Sequence, residues 1–94
     1  MEVSVSSAKQ LGKLISAVRK SQRLDQKTIG EFSGNSINTV GDFEKGSGSL
    51  SVSRLFDLME SLGIEMKIDF ALPPSDTSAQ KKLIKRINEI VDNE

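Results

Sequence analysis

The stretch DQKTIGEFSGNSINTVGDFEKG, residues 25–46, decides the fold of this 94-residue chain. Two short helical patterns lie on either side of Gly34, a residue type that commonly ends helices. Each pattern is preceded by a polar residue of the kind that caps a helix N-terminus. The stretch therefore predicts helix 2 over residues 26–33, a tight turn, and helix 3 over residues 36–45, with Ser36 as its N-cap.

Helix 3 is unusually polar for a helix in a small protein. On a helical wheel, Val40 and Phe43 form a thin apolar seam, whereas Asn38 and Asp42 lie on a polar face. An ordinary solvated helix would have such a face. However, a helix, a tight turn and a polar helix also form the arrangement in which the second helix enters the DNA major groove. The preceding short helix favours this second interpretation.

The flanking sequence predicts three further helices and one strand. Helix 1 covers residues 8–21, and helix 4 follows the N-cap Ser51 and ends at Gly63. Apolar and polar residues then alternate over residues 64–72, which is typical of a half-buried strand. A Pro-Pro linker leads to a last amphipathic helix over residues 78–92.

The predicted strand needs a partner, because a lone strand leaves its backbone donors and acceptors unpaired. The N-terminal stretch EVSVS is one candidate, and the same strand of a second copy is the more economical one. We therefore predict a mainly α fold, a compact bundle of four to five helices with a C-terminal strand that pairs across a dimer. The predicted domain covers residues 1–72, and residues 73–94 form a linker and helix. The dimer strand presents Ile64, Met66, Ile68 and Phe70.

Composition excludes several classes of chemistry. The chain has no cysteine, histidine, tryptophan or tyrosine, which excludes thiol catalysis, imidazole bases and zinc sites of the Cys or His type. We therefore expect a protein that is not an enzyme and has no metal or cofactor. No apolar run approaches the roughly 20 residues of a membrane span, and the N-terminus lacks the order of a signal peptide. A cytoplasmic protein is expected.

Charge is unevenly distributed, although the net charge is zero. Residues 1–54 contain eight Lys and Arg against five Asp and Glu, whereas residues 55–94 contain five against eight. A basic half and an acidic half suggest two partner surfaces. Solvated charged faces are the simpler alternative.

From about residue 11 to residue 63, the chain resembles the Cro/CI-type (XRE) helix-turn-helix family of phage repressors. The motif at residues 25–46 carries this resemblance, with Gln at the start of helix 2 and E-x-G at the end of helix 3. Gly30 and Gly41 depart from it, since Ala and Ser are usual there. The stretches SVSSAKQLGKLISAVRKSQ and LGIEMKIDFAL look like those of HipB-type antitoxins. These are autorepressors that partner HipA-type serine/threonine kinase toxins and dimerise through a C-terminal strand.

The resemblance implies a lambda-repressor-like fold and site residues for double-stranded operator DNA. Asp42 and Gln26 have simpler alternatives, a solvated side chain and an ordinary helix-start residue. The residues matched to base-contacting positions are Ser36, Ile37, Asn38, Thr39 and Asp42. The residues expected to contact phosphates are Gln26, Lys27, Asn35 and Lys45. A structural pair, Arg19 and Glu44, is expected to tie helix 1 to the end of helix 3, the alternative being two exposed charges.

Two functions remain open at this point. The first is a DNA-binding repressor that also acts as antitoxin and autoregulator by binding a HipA-like kinase toxin. The second is a stand-alone phage-type or controller repressor. An interaction module without DNA binding is disfavoured by the polar face of helix 3. We expect residues 76–92 to dock either on their own dimer or on a toxin, through Leu83, Ile84, Ile87 and Val91.

Overall fold

The computed structural model describes residues 1–93 and contains five helices in that range. None of them is long and apolar enough to cross a membrane. The helices follow the predicted order, and their bounds confirm the predicted helical segments to within one residue. They are α1 (Ala8–Ser21), α2 (Gln26–Ser33), α3 (Ile37–Lys45), α4 (Val52–Leu62) and α5 (Ser78–Asp92).

Local side-chain chemistry explains where these helices begin and end. At each N-terminus a capping side chain accepts a hydrogen bond from the backbone N–H three residues later, which satisfies a donor that the helix leaves unpaired. Gly34, Gly46 and Gly63 end α2, α3 and α4 with φ angles of 73°, 78° and 72°, a left-handed conformation that favours glycine. The N-caps are Ser7, Asp25, Ser36, Ser51 and Thr77.

The first four helices enclose one apolar core. Helix α1 packs on α3, and α2 packs on both α3 and α4. Gly12 lets α1 approach closely, because a Cβ atom at this position would lie 2.1 Å from the carbonyl oxygen of Phe43. The apolar seam predicted for α3 is part of the core. The buried apolar residues are Ile15, Ile29, Val40, Phe43, Leu58, Met59 and Leu62.

The strand predicted over residues 64–72 is not confirmed. Within residues 1–93 the structure contains no strand, and this segment is neither helical nor paired in a ladder. The N-terminal stretch lies nearby, since Lys67 forms an ion pair with Glu2, but the two segments form no sheet. A strand requires a ladder of backbone hydrogen bonds to a neighbouring strand, and residues 1–93 provide no such ladder for this segment.

The apolar side chains of residues 64–72 are mostly exposed as well. Ile64 is half-buried against the core, but Met66, Ile68 and Phe70 are all exposed, with Ile68 at 79%. Leu72 is exposed as well. The alternation is therefore present in the sequence, but no apolar face of it is buried by this one chain.

Helix α5 stands apart from the bundle. None of its residues is buried, and it has no extensive packing against α1–α4. The Gln80 side chain donates a hydrogen bond of 3.1 Å to the carbonyl oxygen of Pro73, which fixes the helix start to the Pro-Pro linker. The described residues measure 50 × 26 × 24 Å along their principal axes.

Candidate nucleic-acid interface

The turn between α2 and α3 is compact and closed by buried groups. The backbone N–H of Asn35 donates to the carbonyl oxygen of Gly30 at 2.8 Å. A Cβ atom on Gly30 would lie 2.5 Å from the carbonyl oxygen of Asn35. The glycine that departs from the expected alanine therefore allows the turn to lie directly on α2. This contact holds the turn against α2.

The side chain of Asn35 belongs to this turn. It is 6% exposed, and its amide donates to the Ser33 hydroxyl at 2.9 Å. Its carbonyl oxygen faces Arg54, which also donates to the carbonyl oxygen of Gly34 at 3.0 Å. The predicted phosphate contact of Asn35 remains a prediction, and its side chain is used to close the turn. Arg54 is the exposed cation at this place.

The outer surface of α3 carries the residues predicted to contact bases. Ser36, Ile37, Asn38 and Asp42 are exposed, and Ile37 reaches 49% although it is apolar. Thr39 is half-buried. Asn38 and Asp42 lie opposite the buried seam, Ile37 and Thr39 lie on either side of them, and Ser36 is at the helix N-terminus. We name this set the α3 surface.

The hydroxyls at the start of the α3 surface are linked to each other. The Ser36 hydroxyl accepts the backbone N–H of Thr39 at 3.1 Å and lies 2.8 Å from the Thr39 hydroxyl. These contacts fix both side chains at the N-terminus of α3. A helix N-terminus with its N–H groups directed outward favours negatively charged groups such as phosphates.

Arg19 and Glu44 form a buried ion pair beneath α3. Two donors of the Arg19 guanidinium bind the two Glu44 carboxylate oxygens at 2.7 and 2.8 Å, and a third binds the Leu24 carbonyl oxygen at 2.7 Å. Both residues are 7% exposed. Such a bidentate pair has a fixed geometry. The Arg19 side chain connects α1, the loop that precedes α2 and the end of α3.

These hydrogen bonds shift the pKa values of Arg19, Glu44 and Asp25. The hydrogen bond to Glu44 raises the pKa of Arg19 above its ordinary value, despite burial. Burial by itself would raise the pKa of Glu44, but hydrogen bonds from Arg19 and Gln26 outweigh it, so that this pKa is lowered. The pKa of Asp25 is also lowered, chiefly by the backbone N–H of Thr28 that it caps. All three groups are therefore held in their charged forms.

Gln26 lies between α2 and α3. Its amide donates to a Glu44 carboxylate oxygen at 3.1 Å, and it covers Gly41, where a Cβ atom would lie 3.2 Å from the Gln26 side-chain oxygen. Gly41 is therefore buried under Gln26 and makes room for this side chain. The predicted phosphate contact of Gln26 remains a prediction, but the half-buried amide is positioned by the ion pair.

Three exposed cations come from the segments next to the α3 surface. Lys27 is at the start of α2, Lys45 is at the end of α3, and Arg54 lies beside the turn. The sequence by itself does not predict a role for Arg54, because only the folded chain brings the start of α4 to the turn. Its position three residues after the N-cap Ser51 gave no signal of this contact.

Comparison with known proteins agrees with this architecture. A model of the HTH_3 family, described as helix-turn-helix, matches residues 15–68, which is more than half of the chain. The chain belongs to the helix-turn-helix family. This helix-turn-helix protein is accordingly a DNA-binding regulator of the XRE type, with α2 and α3 as the two helices of the motif. No curated protein sequence matches it significantly.

Solved structures share the fold of this helix-turn-helix protein. The restriction-modification controller protein C.AhdI from Aeromonas hydrophila is 28% identical, with a TM-score of 0.59 over 62% of this chain and 88% of that chain. HipB in a complex with an O4 20mer is 21% identical, with a TM-score of 0.67 over 74% and 99%. A HipA-HipB-O2-O3 complex contains a chain that is 20% identical, with the same TM-score over 74% and 99%.

Proposed function

We propose that this helix-turn-helix protein is a non-catalytic, sequence-specific transcriptional repressor that binds operator DNA as a homodimer. The observation that carries the proposal is the α3 surface, a set of polar side chains and one exposed isoleucine on a helix whose other side is buried. The Arg19–Glu44 pair beneath it holds this helix against α1 and α2. A rigidly held helix with an exposed polar face is suited to enter a major groove.

Each residue of the α3 surface matches a chemistry offered by base edges. The Asn38 amide can bind adenine N6 and N7 together, and Ile37 can contact a thymine methyl group. The Asp42 carboxylate can accept a hydrogen bond from cytosine N4. Ser36 and Thr39 hydroxyls can donate to either bases or phosphates. Asn38 is the residue whose replacement should change base preference most.

Backbone contacts come from the border of the α3 surface. The cations Lys27, Lys45 and Arg54 are proposed to contact phosphates, which carry no direct sequence information. Gln26 and the N-terminal amides of α2 and α3 add hydrogen-bond donors. Arg54 replaces Asn35 in this set, because Arg54 is exposed and the Asn35 side chain is buried.

The homodimer is proposed to form through residues 64–72. This segment leaves several large apolar side chains exposed in the single chain, and pairing with a second copy would bury them and satisfy the backbone. Two copies of α3 would then contact half-sites about one helical turn apart, or a multiple of it.

We also propose that this protein binds a HipA-like kinase toxin. Its support is the similarity of fold to HipB, whose structures include a complex with HipA. A stand-alone controller is the second candidate, supported by the similarity to C.AhdI at 28% identity. Co-purification with the product of the adjacent gene separates them. A kinase-like product that binds the full chain supports the antitoxin, and no binding supports the controller.

DNA binding is tested by mobility shifts on DNA from the protein's own promoter and on random DNA. Asn38→Ala is expected to lose about 1–3 kcal/mol of discrimination at one base pair per half-site. Its matched control is Asn88→Ala, because Asn88 is exposed on α5, far along the chain from the α3 surface. Equal affinity of the wild-type protein for promoter and random DNA would contradict the proposal.

Phosphate contacts are tested with a second matched pair. Lys27→Ala should weaken binding to all sequences similarly and reduce the salt dependence of log K by about one phosphate contact. Lys82→Ala on α5 removes the same charge elsewhere and should change neither. If Lys27→Ala alters base preference as Asn38→Ala does, the division between base and phosphate contacts is wrong.

A further inference from the structure

A groove of about 1330 Å³ lies between α1, the end of α4 and the extended residues 64–69, with residues 1–5 on its border. The bundle contributes several apolar side chains to its lining, namely Leu11, Leu14, Val18 and Met59. The three from α1 are only half-buried. The groove therefore presents apolar surface that a partner can cover.

The segment beside the groove has different chemistry at its odd and even positions. Glu65, Lys67 and Asp69 are charged and exposed, whereas the large apolar residues from Ile64 to Leu72 occupy the even positions. Successive side chains of an extended chain point to opposite sides. If the segment pairs as a strand, the three charges therefore share one face and the apolar side chains share the other.

Antiparallel pairing with a second copy has one register that suits both faces. With Ile68 at the two-fold axis, Lys67 lies directly opposite Asp69 of the second copy, and the symmetric pair forms as well. Directly opposite residues of an antiparallel pair share a face, so that both ion pairs lie within the contact. The register also uses the whole segment, because Ile64 then lies opposite Leu72 of the second copy.

The neighbouring registers are unfavourable. An axis at Lys67 would oppose the two Lys67 side chains and would place Glu65 opposite Asp69, so that like charges meet in every charged pair. An axis at Asp69 would oppose two carboxylates. An axis between two residues would place charged side chains opposite apolar ones. The charges therefore select Ile68 among these positions.

The same register brings apolar side chains of the second copy to the groove. Ile64 and Met66 line the groove, and they lie opposite Leu72 and Phe70 of the second copy. These two side chains therefore lie next to the apolar residues of α1. A two-stranded ribbon is marginally stable by itself, and packing against a helix supplies the missing stability.

We infer that residues 64–72 pair antiparallel with the same residues of a second copy, with Ile68 at the two-fold axis, and that the groove receives Phe70 and Leu72 of that copy. The inference rests on the homodimer of the proposed function and gives it a register and a binding surface. Lys67 also forms an ion pair with Glu2 of its own chain. An ammonium group has three donors, so Lys67 can bind both carboxylates.

Charge reversal tests the register in the full-length protein. Lys67→Asp opposes carboxylates and Asp69→Lys opposes ammonium groups, so each variant alone should self-associate about five- to tenfold more weakly at low salt. Their equimolar mixture should form a heterodimer with the affinity of the wild-type protein, because every opposed pair then has opposite charges. Sedimentation measures all three samples. Asp69→Asn creates no repulsion and should leave the dimer intact.

Glu65→Lys and Glu2→Gln are the matched controls. Glu65→Lys changes the net charge as Asp69→Lys does, but Glu65 faces the uncharged Ala71 of the second copy, so association should not weaken. Glu2→Gln removes only the partner of Lys67 within the chain and should not weaken association either. If Asp69→Lys strengthens association, if mixing restores nothing, or if Glu2→Gln has the effect of Lys67→Asp, the register is overturned.

Cysteine crosslinking tests the register independently, since the natural chain contains no cysteine. Met66→Cys and Phe70→Cys are purified separately, mixed and oxidised mildly. The disulfide between positions 66 and 70 should exceed either homodimeric disulfide several-fold, because two copies of position 66 are then roughly 13 Å apart along the strands. Predominant homodimeric disulfides would overturn the register.

Tryptophan fluorescence tests the occupant of the groove, since the natural chain contains no tryptophan. Phe70 and Phe56 are 50% and 48% exposed in the single chain. The emission of Phe70→Trp should shift to shorter wavelength as the concentration rises through dimerisation, because the indole moves from water into an apolar groove. The emission of Phe56→Trp on α4 should stay constant. An equal shift in both variants, or none at position 70, overturns the groove contact.

The same samples separate failure of this inference from failure of the proposed function. A wild-type protein that is dimeric and binds promoter DNA, yet gives no 66–70 disulfide above random collision, overturns only the register and the groove contact. So does a shift at position 70 that occurs only with a co-purified second protein. A wild-type monomer that does not bind the promoter contradicts the proposed function as well.

Discussion

The bundle of residues 8–62 and the tail of residues 64–92 differ in how completely they bury their apolar side chains. In the bundle, the apolar seams of four helices meet in one core, and even the buried charges Arg19 and Glu44 are paired. In the tail, the large apolar residues of residues 64–72 and α5 are mostly exposed or half-buried. The first region buries its apolar side chains within one core, whereas the second leaves apolar side chains exposed, and we propose that a second copy covers those of residues 64–72.

The largest expected difference between the two regions is in the free energy of unfolding that is lost when an Arg–Glu ion pair is removed. Glu44→Ala leaves the buried Arg19 guanidinium without its carboxylate and should lower the free energy of unfolding by about 3 kcal/mol or more. Glu89→Ala removes the exposed pair with Arg86, which spans 3.4 Å, and should cost less than about 0.5 kcal/mol. Urea denaturation at neutral pH measures both. Similar losses for the two variants would remove the distinction between the regions.

Two glycines test how closely the helices of the bundle approach. Gly12→Ala places a methyl group against the carbonyl oxygen of Phe43 and should destabilise the bundle by about 1–3 kcal/mol, because α1 must move away from α3. Gly41→Ala meets only the flexible Gln26 side chain. It should change stability by at most about 1 kcal/mol and can stabilise α3. Thermal unfolding measures the stability of both variants. A larger loss of stability in Gly41→Ala than in Gly12→Ala would contradict the prediction.

Acid stability should depend on the bundle carboxylates. The pKa values of Glu44 and Asp25 are lowered by folding, so their stabilisation is present above the unfolded pKa and is lost as pH falls through the folded pKa. The free energy of unfolding should therefore decrease below about pH 4.3, the ordinary pKa of a glutamate. Glu44→Gln should be less stable at neutral pH and lose less on acidification.

Glu65→Gln is the control for acid unfolding, because Glu65 is exposed in the tail. It should retain the pH dependence of the wild-type protein when denaturation is followed at several pH values. An unchanged pH dependence in Glu44→Gln would show that the buried pair does not contribute to acid unfolding.

The smallest effect on the stability of the bundle is expected for a substitution in the tail. Ile68→Pro should change the free energy of unfolding by less than about 0.5 kcal/mol at high dilution, because Ile68 is 79% exposed and lies in no sheet within residues 1–93. At tens of micromolar it should lower the mass seen by light scattering, since proline removes a ladder donor. Asp69→Asn should change neither quantity. A proline variant that remains dimeric would contradict the proposed contact.

Local sequence signals predicted the helices of both regions. N-cap residues such as Ser36 and C-terminal glycines such as Gly46 act within one turn of the helix they bound, so that their effect can be deduced from sequence. The strand over residues 64–72 could not be deduced in this way. Alternation describes which side chains share a face, but a strand exists only when another segment pairs with it.

The candidate site was predictable to the extent that it lies on one helix. The exposure of Asn38 and Asp42 follows from the position of Val40 and Phe43 on the same helix. The burial of Asn35 and the placement of Arg54 could not be deduced, because they depend on how the start of α4 meets the turn. Contacts between residues distant in sequence require the packed bundle.

The central claim is that DNA contacts the bundle at the α3 surface, whereas the tail serves assembly. Amide NMR of the labelled full-length protein, titrated with DNA from its own promoter, tests this claim most directly. We expect the large shifts in residues 26–45 and at Arg54, with little change in residues 78–92. Shifts concentrated in residues 78–92, with those of α3 unchanged, would contradict the account.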